Sequence, residues 1–291
     1  MGTIESKQPV TELIQRRFST RTYLNLPIDD QIQRQLVDFI AKTDIGPFGT
    51  HSRFTLVASI KGDRKALRGL GTYGFIKSAA GFIIGATVDS GKSLEDFGYL
   101  MECIILYATD LDLGTCWLGG SFARSRFAKK ISVKRNEIIP AVTAVGYIAP
   151  NPRRLDAYIR QEARADQRRP WEWLFFDGEF NKPLKQDSAG KYAVPLEMVR
   201  LGPSASNRQP WRIIKSGDNF HFYLRRTPGY RESTSSKLLK IEDLQRVDMG
   251  IAMCHFELTA SQLGLSGKWE MTDLDISVPD DITEYTVSWI S

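Results

Sequence analysis

Arg17, Ser19 and Arg21 alternate near the start of the chain. In an extended backbone alternate side chains project from one face, so two guanidinium groups flank one hydroxyl and form a cradle for a phosphate dianion. A second segment, Gly202-Pro203-Ser204-Ala205-Ser206-Asn207-Arg208-Gln209-Pro210-Trp211, is a turn of small residues running into a strand. Such a turn lets a flat ligand approach the backbone, and the Asn207 amide sets a donor beside an acceptor. Taken singly, each has a plainer reading: an exposed basic arm for the first, a loop with an Asn turn for the second. Cys116 has no histidine close in sequence and reads as a buried, inert thiol. His51, His221 and His255 lack metal-ligand spacing, and His255, inside an apolar helix, reads as a core or interface residue.

The elements that position these groups belong to a chain of ordinary globular make-up. It has 291 residues, 42% hydrophobic and 25% charged, with 23 Gly and 13 Pro, which excludes collagen, low complexity and disorder. The length allows one large domain or two ordinary ones with a substantial core. Cys103, Cys116 and Cys254 each sit in an apolar stretch, which argues against a disulfide framework and fits a reducing cytoplasm. The first ten residues have no apolar core behind a basic start, and the longest near-apolar run, 75 to 88, contains Lys77. Neither a signal peptide nor a membrane-spanning helix is expected. The formal charge is +5, and the densest basic stretch, 153 to 169, interleaves its arginines with Asp156, Glu162 and Asp166. Mixed signs read as a solvated helical face, with no nucleic-acid partner.

An internal repeat organises the chain. Residues 96 to 117 match residues 248 to 269 without a gap, with identities at Asp96/Asp248, Gly98/Gly250, Met101/Met253, Leu106/Leu258, Ala108/Ala260, Leu111/Leu263, Leu113/Leu265 and Trp117/Trp269. Each copy is apolar almost all round, the mark of a helix buried on every side. Each ends in a Leu-x-Leu turn in which Gly114 or Gly264 is expected to supply the backbone freedom of a helix stop. A fainter match relates Ile45-Gly46-Pro47 and the strand after it to Leu201-Gly202-Pro203 and the strand after that. The patterning further predicts a helix over 29–43, strands over 54–60, 80–88 and 141–148, a short helix over 196–201, and a hairpin of 211–215 with 220–224. The stretch 149–191 reads as a connector whose apolar Trp-Glu-Trp-Leu-Phe-Phe run packs across the halves. Two copies joined this way look like a dimer fused into one chain, a first half of residues 1–185 and a second, shorter half of 186–291.

With Leu113-Gly114-Thr115-Cys116-Trp117-Leu118-Gly119-Gly120, the two opening segments make the chain resemble the nitroreductase family of flavoproteins. The matching features are Arg-x-Ser-x-Arg at 17–21, Pro-Ser-x-x-Asn-x-Gln-Pro-Trp at 203–211, and a Gly-containing helix end leading to Trp117 and two glycines. The resemblance implies an α+β fold, a mixed sheet with flanking helices, here duplicated as a fused pseudo-dimer. It also implies an FMN cofactor reduced by NADH or NADPH, and ping-pong transfer of hydride to a small-molecule acceptor such as a nitroaromatic or a quinone. The family carries both motifs in each subunit of a homodimer. In this chain residues 46–53 lack the Asn and the Gln-Pro-Trp, and nothing before Pro203 repeats Arg-x-Ser-x-Arg. That complementary loss implies one interdomain site in a monomer. Carried over by position, Arg17, Ser19 and Arg21 hold the phosphate, and Arg168 and Arg169, just before Pro170, resemble the basic residues that complete that site, with Arg169 preferred. Pro203, Ser204, Ala205 and Asn207 contact the ring, Gly119 and Gly120 set amides beside the reactive nitrogen, and Lys77 lies near the pyrimidine edge, unless it is a surface lysine. No catalytic side chain is implied. A flavin enzyme with another acceptor and a flavin-binding or storage protein are the rival readings.

Overall fold

The computed structural model describes residues 6–61, 63–229, 241–272 and 275–291; the first five residues of the stretch in which no signal peptide is expected lie outside them. The described helices are α1 (Val10–Arg16), α2 (Asp30–Ala41), α3 (Ser93–Asp110), α4 (Arg124–Lys130), α5 (Arg154–Glu162), α6 (Ala193–Leu201) and α7 (Leu244–Gln262). The described strands are β1 (Ser52–Ala58), β2 (Gly81–Val88), β3 (Gly114–Leu118), β4 (Glu137–Ile138), β5 (Val142–Gly146), β6 (Phe175–Asp177), β7 (Trp211–Ser216), β8 (Asn219–Arg225), β9 (Lys268–Glu270) and β10 (Thr283–Ile290). The helix expected from Asp29 starts where the Asp29 carboxylate accepts the Gln31 N–H, an N-cap. None of the described helices is long and apolar enough to cross a membrane.

The repeat extends well beyond the matching helices. One sheet runs β1-β2-β5-β3, with β4 beside β2, and the other runs β6-β7-β8-β10-β9. Without β6, the second path is antiparallel throughout and reproduces the order and directions of the first. In each half a strand pair precedes the long helix and the last two strands of the path follow it. The fold is thus α+β and duplicated. Only the second sheet is mixed, because β6 joins β7 in parallel. That strand comes from the apolar connector run, on the first-half side of the 185/186 division, and Leu174 and Phe175 are buried in the core.

α3 and α7 pack against each other at the centre of the main core. Their crossing is set by the repeated glycines: a Cβ on Gly98 would run into the Val247 carbonyl, and one on Gly250 into the Glu95 carbonyl. Close approach brings the Cys103 and Cys254 sulfurs to 3.5 Å, and both thiols are free and buried. The repeated aspartates also act alike. Asp96 accepts the Phe48 and Thr50 N–H groups at 2.9 and 2.8 Å, and Asp248 accepts the Ala205 N–H at 2.9 Å. Each therefore fastens the turn of its own half. The helix stop differs between copies. Gly264 has φ +71°, but in the first copy Asp112 is the left-handed residue, with φ +60°. Gly114 opens β3 instead, and it lacks a Cβ because one there would meet Thr20 and Ile148.

At the edge of the first sheet Arg53 binds the Glu137 carboxylate at 2.7 and 2.9 Å. That hydrogen bond, against the burial that opposes it, lowers the Glu137 carboxyl to about 2. A carboxyl depressed on folding adds stability above its ordinary value of 4.5 and loses it as pH falls toward about 2. Urea unfolding between those pH values should therefore weaken the wild type more than Arg53→Leu. Equal slopes would dismiss the pair as a source of acid sensitivity.

Candidate functional site between the halves

A cavity of about 610 Å3 lies where the two halves meet, within the ordinary range for small-molecule sites. One wall is the extended segment after α1. Ser19 bridges Thr115 in parallel, and the Thr20 N–H donates to the Thr115 carbonyl at 2.8 Å. This pairing fixes the alternation, so that Arg17, Ser19 and Arg21 line the cavity while Thr20 is buried against Gly114. The opposite wall is the turn at 203–207, held beneath by Asp248 of α7. Burial pushes the Asp248 carboxyl well above the usual range, against the Ala205 N–H. Gly119 and Gly120 close the site between them, and a Cβ on Gly119 would strike Leu244. The turn is conformationally costly: Ser206, Asn207 and Gln209 have φ of 50°, 53° and 49°.

Arg17 is the most telling member. Its side chain is only 6% exposed, its nearest carboxylate oxygen, on Glu102, stands 3.8 Å away, and neither Nε nor Nη1 has a hydrogen-bond partner. Buried guanidinium donors without acceptors cost free energy. An anionic group in the cavity would supply the missing acceptors.

The family described as "Putative TM nitroreductase" matches residues 9–260. The chain belongs to the nitroreductase family. A crystal structure described as a "putative nitroreductase" from Thermotoga maritima is similar over 99% of this chain and 96% of its own, with 18% identity and a TM-score of 0.60, a likeness of fold. A nitroreductase with bound FMN from Bacteroides fragilis has 22% identity, covering 50% of this chain and 92% of its own, at a TM-score of 0.39. A nitroreductase family protein from Clostridium novyi has 20% identity over 52% and 92%, also at 0.39. No curated protein matches the chain.

Nine of the eleven residues assigned from the nitroreductase resemblance, with Arg169 as the preferred arginine, line the cavity: Arg17, Ser19, Arg21, Gly119, Gly120, Pro203, Ser204, Ala205 and Asn207. Lys77 does not. It lies exposed in the insertion between β1 and β2, where its backbone N–H and carbonyl bond Arg21 and Tyr23. Arg169 does not either, because its Nε is drawn to the Arg208 carbonyl, and the neighbouring Arg168 lines the cavity instead. Asn207 lines the cavity with its amide already occupied. Its Nδ2 donates to the carbonyls of Arg164 and Gln167, and its Oδ1 accepts from Gln209, so the amide ties the turn to the connector after α5.

Sequence reasoning missed what stands behind Arg17. Glu102, in the middle of α3, accepts the Trp117 indole N–H at 2.8 Å and faces His255 Nε2 of α7 at 3.0 Å; Glu102 and His255 are both 0% exposed. His255 Nδ1 lies 2.9 Å from the Met198 carbonyl. Both ring nitrogens thus face oxygens, the Met198 carbonyl on one side and the Glu102 carboxyl on the other. Burial alone would raise the Glu102 carboxyl; the His255 hydrogen bond and charge, then Arg17 and Trp117, hold it below the usual range. The available signal was Glu102 as the one acid in the apolar stretch 97–108 of α3. The other half answers with Glu257, which accepts from Tyr99 and Trp269. Asp248 was itself legible, as an identity of the repeat with Asp96.

Proposed function

We propose that the chain is an FMN-dependent NAD(P)H oxidoreductase of nitroreductase type, holding one FMN in the cavity between its halves and reducing nitroaromatic or quinone-like acceptors. The observation that carries this reading is the buried Arg17 guanidinium, whose Nε and Nη1 lack hydrogen-bond acceptors, facing a turn of small residues across the cavity. Arg17, Ser19 and Arg21 would hold the phosphate, with Arg168 rather than Arg169 the arginine beside them. Gly119 and Gly120 leave room for a flat ring, and the strained turn at 203–207 orients it through backbone groups. FMN, when bound, supplies the atom that accepts and releases hydride, so NADH or NADPH and the acceptor use one site in turn. No side chain is required as acid or base. α7 supplies Val247 and Ile251 to the wall, an apolar surface that excludes water from the ring.

Titration of apoprotein with FMN, followed by flavin fluorescence, should count one site per chain, and light scattering of the same sample should give a monomer. Arg21→Ala should weaken FMN binding by at least about tenfold, the loss of one charge-assisted contact, while riboflavin binding stays unchanged. Two equivalent sites, or a colourless protein that ignores FMN, would overturn the proposal.

A further inference from the structure

The turn at 203–209 has a second face. A groove of about 770 Å3 adjoins the first cavity and shares Ala163, Arg168, Ser206 and Asn207 with it. Four arginines, Arg164, Arg168, Arg169 and Arg208, line it with a single carboxylate, Glu162. None of the four is ion-paired among the described residues, whereas nearby Arg160, Arg200 and Arg225 each have an acidic partner. The groove is built as well as charged. Asn207 ties down the connector carbonyls, Gln209 Oε1 accepts the Arg169 N–H at 2.8 Å, and Arg168 donates to the Leu201, Ala165 and Gln167 carbonyls. Burial, then the charges of Arg208 and Arg225, lowers Arg169 from the ordinary arginine value; burial, then Arg17 and Arg200, does the same to Arg168. Arginines therefore run from Arg17 in the first cavity, past Arg168 with Asp166 near it, to Arg169 and Arg208. Four arginines held together in excess of the nearby carboxylates, none of them ion-paired among the described residues, favour an anion in the groove.

We infer that this groove is a second anion subsite, taking a phosphoryl group of a dinucleotide. The inference rests on the reading of the first cavity as the FMN site with its phosphate at Arg17. A diphosphate reaching past Arg17 and Arg168 meets Arg169 and Arg208, and Arg164 covers the outer edge. Two dinucleotides share that chemistry: a flavin bound as its adenine dinucleotide, and the nicotinamide donor.

The test compares wild type with Arg164→Gln/Arg208→Ala, and with Arg208→Glu, which reverses one charge at an exposed position. FMN and flavin adenine dinucleotide are titrated into apoprotein, and NADH and NADPH are varied as donors for the FMN-loaded protein. FMN affinity should stay within about twofold of wild type. In both variants either the flavin adenine dinucleotide Kd or a donor KM should rise by at least about tenfold, as expected for lost charge-assisted contacts, and which one rises identifies the source. Tight FMN binding with no change in any dinucleotide constant would remove the groove subsite and leave the first cavity standing. A wild type that does not bind FMN would remove both.

Discussion

Gly250→Ala is expected to destabilise the protein by about 3 kcal/mol or more, at or beyond the upper end of ordinary overpacking. The added methyl would be driven into the Glu95 carbonyl and would stand 2.7 Å from the Tyr99 nitrogen. Both obstacles are backbone of α3, so no flexible side chain can yield and the two long helices must part. Parting them also loosens the contacts made at the crossing, including Arg246 with Glu95 at 2.6 Å and Tyr99 with Glu257 at 2.8 Å. Gly71→Ala is the control: nothing lies within 4 Å of its Cβ position, and a change within about 0.5 kcal/mol is expected. Urea denaturation of the two variants measures both. A Gly250→Ala protein as stable as the control would mean that the helices do not cross at the repeated glycines.

Removing Glu102 should be as severe for a different reason. Glu102→Ala leaves the Arg17 guanidinium buried without its nearest carboxylate and takes the partner from His255 Nε2 and the acceptor from the Trp117 indole, a loss on the order of 3 to 5 kcal/mol. Glu102→Gln keeps the volume and an acceptor for the indole, so it should cost less. Pairing Glu102→Met with His255→Leu removes both members of the buried contact together and should recover part of the loss, a coupling that a double-mutant cycle reads directly. Strictly additive losses would show that His255 and Glu102 do not form the pair seen between α3 and α7.

The lining of the cavity was legible where one stretch of chain carries its own chemistry. Arg17, Ser19 and Arg21 alternate, and alternation in an extended segment places them on one face wherever that segment packs. The small-residue turn after Pro203 was visible for a similar reason, since few residue types tolerate the backbone that it adopts. Lys77 and Arg169 lie outside the cavity because contacts far away in sequence place them, through the backbone for Lys77 and through the side chain for Arg169. Lys77 rides on a β1–β2 insertion that the second half lacks, and Arg169 is turned aside by the Arg208 carbonyl.

By itself the sequence determined the duplication, the two long buried helices, and the division of a clamp in one half from a turn in the other. Those follow from residue type, periodicity and local spacing, which act over a few turns of chain. Only the tertiary structure decided that both sheets share one strand order, that Asp112 rather than Gly114 ends the first helix, and that Asn207 spends its amide on the connector. It alone paired Glu102 with His255, 153 positions apart. Such contacts depend on which surfaces the halves present to each other once packed, and the buried polar groups behind Arg17 acquire partners only when α3 and α7 meet.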